Sequence, residues 1–419
     1  MTAFPFIGLL LFLAPIASAA DWPQWRGSQR DGRATATLPT TWPDSLHLSW
    51  KVPVGIGHAS PVVVGDSVYI HTRVDDSEVA ACLDLANGTT LWQEGRAVPY
   101  EMNPAAFSHG KGPKSTPLVQ GDRLYTLGIT GILSSHDRHT GALQWRHDFA
   151  GTYSPTTPLY GTATSPLFAD GLLIAWVGGH DDGALRAFDA ETGATRWSWA
   201  EDGPGYTSPI IVTIDGVKQL ITQSQRFSLG FDPDTGKVLW QVPNATAWDQ
   251  NSITPIAYGN LIVFSGIDMG ITALRIIRVS KMGAAHSDAA PGDNWRTEQA
   301  WHNADLSMYM SSPVLDGHLL YGLSHKKMGQ YFCLDTRSGE TLWTSPGRQG
   351  ENASLIDIGN QLLLFNTEAQ LVIVDKDNTE FAVRHRYTVA QNSTWAHPAA
   401  LDTRLLVKDA THLYLWSTE

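Results

Sequence analysis

One spaced triad recurs five times along the chain. Cys82-Leu-Asp84-Leu-Ala-Asn-Gly88-Thr-Thr-Leu-Trp92 is the first copy. Asp137 with Trp145, Asp189 with Trp197, Asp232 with Trp240 and Asp335 with Trp343 mark the others. In every copy a Gly lies four residues past the Asp and the Trp lies eight past it. Self-similarity at fixed spacing is the signature of a repeat architecture. Each copy reads as a β-hairpin. An apolar strand ends at the Asp, whose carboxylate accepts backbone N–H groups of the turn. The Gly takes the positive φ, and a second strand carries the Trp.

A second motif opens each unit. Ser60-Pro61, Thr116-Pro117, Ser165-Pro166, Ser208-Pro209, Thr254-Pro255 and Ser312-Pro313 each begin a short apolar strand, where the missing N–H of proline costs least. A turn such as Gly65-Asp66 or Gly259-Asn260 leads to a second strand. Two further units are degenerate: one starts at Ser354-Leu355 and has Val383 in place of the Trp, and the other starts at His397-Pro398 and stops after its third strand. The unit around Trp301 lacks the Asp turn and carries a Gly/Ala/Pro-rich insertion, 282–294, read as a surface loop.

That makes eight units of four short antiparallel strands, the last lacking its fourth. Residues Leu46 to Val54 form an unused strand, with Trp50 where a blade's Trp belongs. Docking it on the last unit closes the ring and removes the sheet edges that open repeats expose. The fold class is therefore all-β: a single eight-bladed β-propeller of four-stranded antiparallel blades, ring closed by an N-terminal strand, spanning residues 21–419. A ring so closed has no evident need of a second copy, so a monomer is expected.

The net charge of −12 argues against phosphate backbones and anionic lipid surfaces, and so against a nucleic-acid partner. Phe6 to Ile16 is almost wholly apolar and runs into Ala17-Ser18-Ala19-Ala20. Residues 1–20 therefore read as a cleaved signal peptide, although no Lys or Arg precedes the apolar run. A periplasmic or secreted protein is expected, with no transmembrane segment, and with no lipid anchor because no Cys follows the small residues. Export raises the question of a disulfide. Cys82 and Cys333 hold the same repeat position in units one and six, which are not ring neighbours. They lie beyond disulfide reach on this reading, and two buried free thiols are expected.

The Asp-x-x-Thr-Gly-x-x-x-Trp repeat resembles the tryptophan-docking repeat of the PQQ-like propeller family. That family includes quinoprotein alcohol dehydrogenases and BamB, a scaffold protein of outer-membrane barrel assembly. Asp21-Trp-Pro-Gln-Trp-Arg-Gly27, followed by Arg30-Asp31-Gly32, is similar to the opening of exported bacterial members. The resemblance implies that the blade tryptophans dock on the neighbouring blade. It also raises two possible cofactors, PQQ and calcium. Against these, the chain lacks the adjacent cysteine pair usual in the dehydrogenases and has near-minimal blades.

In a propeller the first strand of each blade lines the central channel, so the residues before each Ser/Thr-Pro ring one mouth. They are His58, Lys114, Thr162 with Thr164, Tyr206, Trp248 with Asp249 and Asn251, Met308 with Tyr309, Glu351 with Asn352, and Trp395 with His397. Converging polar and aromatic groups suit a small-molecule ligand in the channel, but any propeller puts polar residues at a wet mouth. Glu351, Asn352 and Asp249 offer oxygen ligands to calcium, and Asp249 is also a candidate general base. His180-Asp181-Asp182 is a loop cluster of potential metal ligands. The long 100–114 loop is placed either to cover the mouth or to be a tolerant insertion. No nucleophile elbow or phosphate loop occurs. Two functions remain: a non-enzymatic binding or scaffold propeller with a protein or glycan partner in the cell envelope, which the sequence favours, and a PQQ- and calcium-dependent oxidoreductase of alcohols or sugars.

Overall fold

The computed structural model describes residues 21–35, 38–39, 41–153, 157–279 and 294–419. The proposed signal peptide and nearly all of the 282–294 insertion lie outside the described residues. The described residues form thirty-two strands in eight four-stranded antiparallel sheets. Seven sheets are consecutive, beginning with blade 1 (Val62–Val64, Ser67–Val74, Ser77–Asp84, Thr90–Ala97). The eighth takes three strands from the C-terminal end and its outermost strand, His47–Pro53, from near the N-terminus. Val52 pairs with Leu413 and Lys51 with Tyr414 across that seam. The closure expected from Trp50 is thus present, with the strand one residue shorter at each end than the sequence indicated.

The triad has a direct structural cause. Asp137 Oδ1 accepts the Thr140 hydroxyl (2.8 Å) and the backbone N–H groups of Thr140 (2.8 Å) and His139 (3.0 Å), and these bonds hold its pKa below the usual carboxylate range. All but one of the repeat tryptophans then bond outside their own blade. Trp92 donates its indole N–H to Arg138 O in blade 2 (2.9 Å), Trp145 to Ala190 O in blade 3 (3.0 Å), and Trp197 to Pro233 O in blade 4 (2.9 Å). Trp301 reaches Thr336 O and Trp343 reaches Asp377 O in the same manner. Trp50, on the closing strand, donates to Leu85 O of blade 1 (2.9 Å). Trp240 is different: blade 5 has no Asp turn to receive it, and its N–H goes to Gln219 Oε1 within its own blade (2.8 Å).

The Ser/Thr-Pro motif also acts between blades. Thr116 N–H donates to Ser165 Oγ (3.0 Å), Ser165 N–H to Ser208 Oγ (2.9 Å), and Thr254 N–H to Ser312 Oγ (3.1 Å). His397 N–H returns to Ser60 Oγ (2.8 Å), joining the last blade to the first. These hydroxyls satisfy N–H groups that face the next blade and would otherwise be buried unpaired. Cys82 and Cys333 are free and buried, and burial raises both thiol pKa values, that of Cys333 to about 12.

The segment from Asp21 to Ala34 plugs one end of the channel. Trp22 exchanges backbone bonds with Val63 in blade 1, and Pro23 O accepts Val119 N–H in blade 2. Arg30 donates to Ser165 O and Pro166 O in blade 3, and Trp25 Nε1 to Thr254 Oγ1 in blade 5. Arg26 donates to Pro313 O in blade 6, and Ala34 N–H to Asp357 O in blade 7. Trp22 stacks on His397 of blade 8. Arg26 and Arg30 are buried, and desolvation brings their pKa values down to about 10 and about 9.

Candidate functional site

The antiparallel order places two kinds of connection at the other end of the ring: the loops between second and third strands, and those running from one blade to the next. A cavity of about 160 Å³ opens there. Trp25, carried in by the plug, is part of its lining. The walls combine His58, Lys114, Tyr206 and Trp395, all expected from the sequence, with His109, Tyr160, Gln250, Ser252 and Met310.

The walls are aromatic and tightly meshed. Trp395 lies 5.8 Å from His58 and 5.1 Å, edge-on, from His109. His109 also meets Tyr160 edge-on at 6.4 Å, and Tyr160 lies 5.9 Å from Tyr206. Tyr206 Oη accepts Tyr160 N–H (3.1 Å). His109 ends a short 3-10 helix, Pro104–His109, whose start is capped by Asn103 Oδ1 accepting Ala105 N–H (2.9 Å). The 100–114 loop therefore reaches the channel mouth.

Burial sets the charge state. His58 is pushed down to about 3, first by desolvation and then by the Lys114 charge, and stays neutral. Burial also lowers His109. Lys114 donates Nζ to Tyr160 O (2.7 Å), and desolvation lowers it to about 8. Among the described residues, no carboxylate lines this cavity.

The remaining candidates stand outside the lining. Thr164 is buried one residue past Ala163, which does reach the cavity. Thr162 and Met308 are buried too. Trp248 is 71% exposed, and Asp249 faces His180 at 3.4 Å. Asn251 is a structural tie, donating Nδ2 to the carbonyls of Ser224 and Asn244 (both 2.8 Å). Tyr309 packs on His325, and burial raises it to about 12. Glu351 is exposed, and its charge acts on His109. Asn352 and His397 line a separate cavity of about 40 Å³, where His397 is buried against Trp22 and Trp25 and held near 3.

Among the described residues, no group of three or more His, Cys, Asp or Glu side chains is arranged to hold a metal ion. The three oxygen donors weighed for calcium do not meet at the cavity, so its donor set does not fit a calcium-anchored quinone. Of the loop cluster, His180 pairs with Asp181 and Asp249. Exposed apolar side chains occur at the same end: Ile56, Val74, Phe107, Trp248, Met269 and Met328 all sit on or beside these connections. No helix among the described residues is long and apolar enough to cross a membrane.

Sequence reasoning found four wall residues two places before a blade-opening step, missed Ala163, Ser252 and Met310 at the same step, where their neighbours were named instead, and missed those delivered from elsewhere. His109 and Tyr160 come from long connections, and Trp25 comes from the plug. The Trp-x-x-Trp-Arg opening was the available signal for the last of these, since two tryptophans outside any repeat need a place to be buried.

The comparisons with known proteins agree with this architecture. A family model described as "Outer membrane protein assembly factor BamB" matches residues 75–345. Outer membrane protein assembly factor BamB of Shewanella oneidensis is 25% identical over 271 residues, 63% of this chain and 64% of that protein. Quinohemoprotein alcohol dehydrogenase ADH-IIG of Pseudomonas putida is 21% identical over 327 residues, 71% of this chain and 41% of that protein. The chain thus spans less than two thirds of the length of either relative. BamB from Moraxella catarrhalis superposes with a TM-score of 0.62 at 14% identity, over 89% of this chain and 99% of that one. Quinohemoprotein alcohol dehydrogenase from Comamonas testosteroni does so with 0.66 at 14%, over 95% and 80%. Both show the shared fold. By its repeat, its ring and the match over most of its length, the chain belongs to the PQQ-like repeat family described as outer membrane protein assembly factor BamB.

Proposed function

We propose that the protein is a non-enzymatic binding propeller of the bacterial cell envelope, seating a protein partner on the connection end of the ring. One observation carries this. With the plug at one end, the other end carries exposed apolar side chains on its connections and an aromatic cavity whose lining, among the described residues, contains neither a carboxylate nor a nucleophile paired with a base. Clustered exposed apolar side chains mark interaction surfaces, and aromatic and Met side chains are enriched at interfaces. The relationship to BamB agrees with an envelope setting and a protein partner. Export by the 1–20 segment belongs to the same proposal.

The test is affinity capture from an envelope extract with the mature protein and with a Phe107→Ser, Trp248→Ser, Met328→Ser variant. A partner retained by the first and lost by the second supports the proposal. Equal capture by both, or by neither, counts against it.

A second reading, a PQQ-dependent oxidoreductase, is favoured by Trp25 and Trp395 lining the same cavity as the Lys114 cation, and by the dehydrogenase relative. The missing carboxylates weigh against it, since a hard cation wants oxygen donors.

A further inference from the structure

Lys114 bridges the entry to blade 2 and the entry to blade 3 through a single neutral acceptor. Its side chain lines the cavity, its ammonium bonds one carbonyl oxygen, and among the described residues it meets no carboxylate within ion-pair distance. Its partner, Tyr160 O, is a neutral acceptor, so the side chain is fixed in place without its charge being cancelled. The titratable groups that face it are His58 from the connection before blade 1, His109 from its own loop, Tyr160 from the connection before blade 3, and Tyr206 from the connection before blade 4. Lys408 acts on His58 and Glu351 on His109 from farther out. Both imidazoles are held towards the neutral form.

We propose that Lys114 captures carbonyl compounds, aromatic aldehydes first among them, as a reversible imine within this cavity. This rests on the cavity being a ligand-taking site. The balance is simple. The ammonium releases a proton to water, and the free amine adds to the carbonyl carbon to form a carbinolamine. Loss of water then leaves the imine, with no oxidant or reductant consumed. The surroundings favour each stage. Desolvation weakens the ammonium against the amine, so the free amine is populated near pH 8, as expected of lysines in apolar pockets. The rings of Trp25, Trp395, Tyr160 and Tyr206 provide flat apolar surface for an aromatic body. A protonated imine is a cation beside aromatic faces, which attract it. The neutral imidazoles add no competing charge.

The experiment treats the mature protein with benzaldehyde and cyanoborohydride and maps the reduced adducts by peptide mass spectrometry. Lys114 should be labelled at least about tenfold faster than exposed Lys111, Lys237 and Lys327 at pH 7.5. Its rate should fall about tenfold per pH unit below about 8, as the free-amine fraction does. Lys114→Arg keeps the charge and should remove the fast site. Labelling spread evenly over the lysines, or a fast site that survives Lys114→Arg, overturns the proposal. Quenching of tryptophan fluorescence by benzaldehyde without reductant reads occupancy separately. Quenching with no Lys114 adduct sinks the imine and leaves the cavity as a ligand site. Neither signal removes both.

Discussion

Trp92 of blade 1 lies flat over Gly141 of blade 2, so closely that a β-carbon at Gly141 would stand 2.6 Å from the indole ring. The same glycine has φ +77°, in the left-handed region. Two independent demands therefore meet at one position. The turn needs a residue tolerant of positive φ, and the neighbouring blade needs empty space for its tryptophan.

Gly141→Ala should destabilise the protein by about 2–4 kcal/mol, combining the cost of a left-handed non-glycine residue with overpacking against Trp92. Gly121→Ala is the control: it has φ +55° but open space around it, and should show the smaller backbone cost alone. Urea denaturation of the two variants measures the difference.

Trp50→Ala should cost about 3–5 kcal/mol, because the side chain is buried at the seam and its N–H serves Leu85 O. Trp248→Ala, with its ring largely in solvent, should change stability by less than about 0.5 kcal/mol. Thermal unfolding of both variants checks the contrast.

Stability should fall on acidification between about pH 6.5 and pH 3. His58, His71 and His397 are each lowered to about 3 in the folded chain, desolvation being the main cause. Below pH 6.5 the unfolded chain binds protons that the folded one refuses, so stability is present above the unfolded pKa and is lost as pH falls. Each histidine contributes at most about 1.4 kcal/mol per pH unit in that window. His71→Gln should flatten the slope measured by chemical denaturation across this range.

Calorimetric titration with PQQ in calcium-containing buffer should show no binding at micromolar strength, about −8 kcal/mol. Binding at that strength, lost in Lys114→Met, would favour the oxidoreductase instead.

The ring was legible in the sequence because its parts repeat. Each Asp-Gly-Trp copy encodes a local turn and one contact to the next blade, so spacing alone carried blade number, strand order and the seam at Trp50. The site was legible only in part, because it has no repeat to announce it. His58, Lys114 and Tyr206 were reached by counting back from a Ser/Thr-Pro step, and Trp395 from His397-Pro398. The step that works is two residues back, which also gives Ala163, Ser252 and Met310; Trp248 and Asp249 lie farther back and stand outside the lining, and His109 comes in from a loop whose direction no local pattern sets. Asn251 shows the other limit. A polar side chain at a wet mouth and one tying three backbone strands together have the same letter in the sequence.

The plug also constrains how the chain reaches its native state. Residues 22–34 rest on seven of the eight blades, and 47–53 on the last strand of the chain. The stretch made early in synthesis thus has no complete seat until the final hairpin has emerged. Blades can form in order as they appear, but the cap and the seam must wait, and both then lock together. A chain cut short within blade 8 before its last strand forfeits the seam, leaving a bare sheet edge and the 47–53 strand without its partner, while the plug keeps its seats on the other blades.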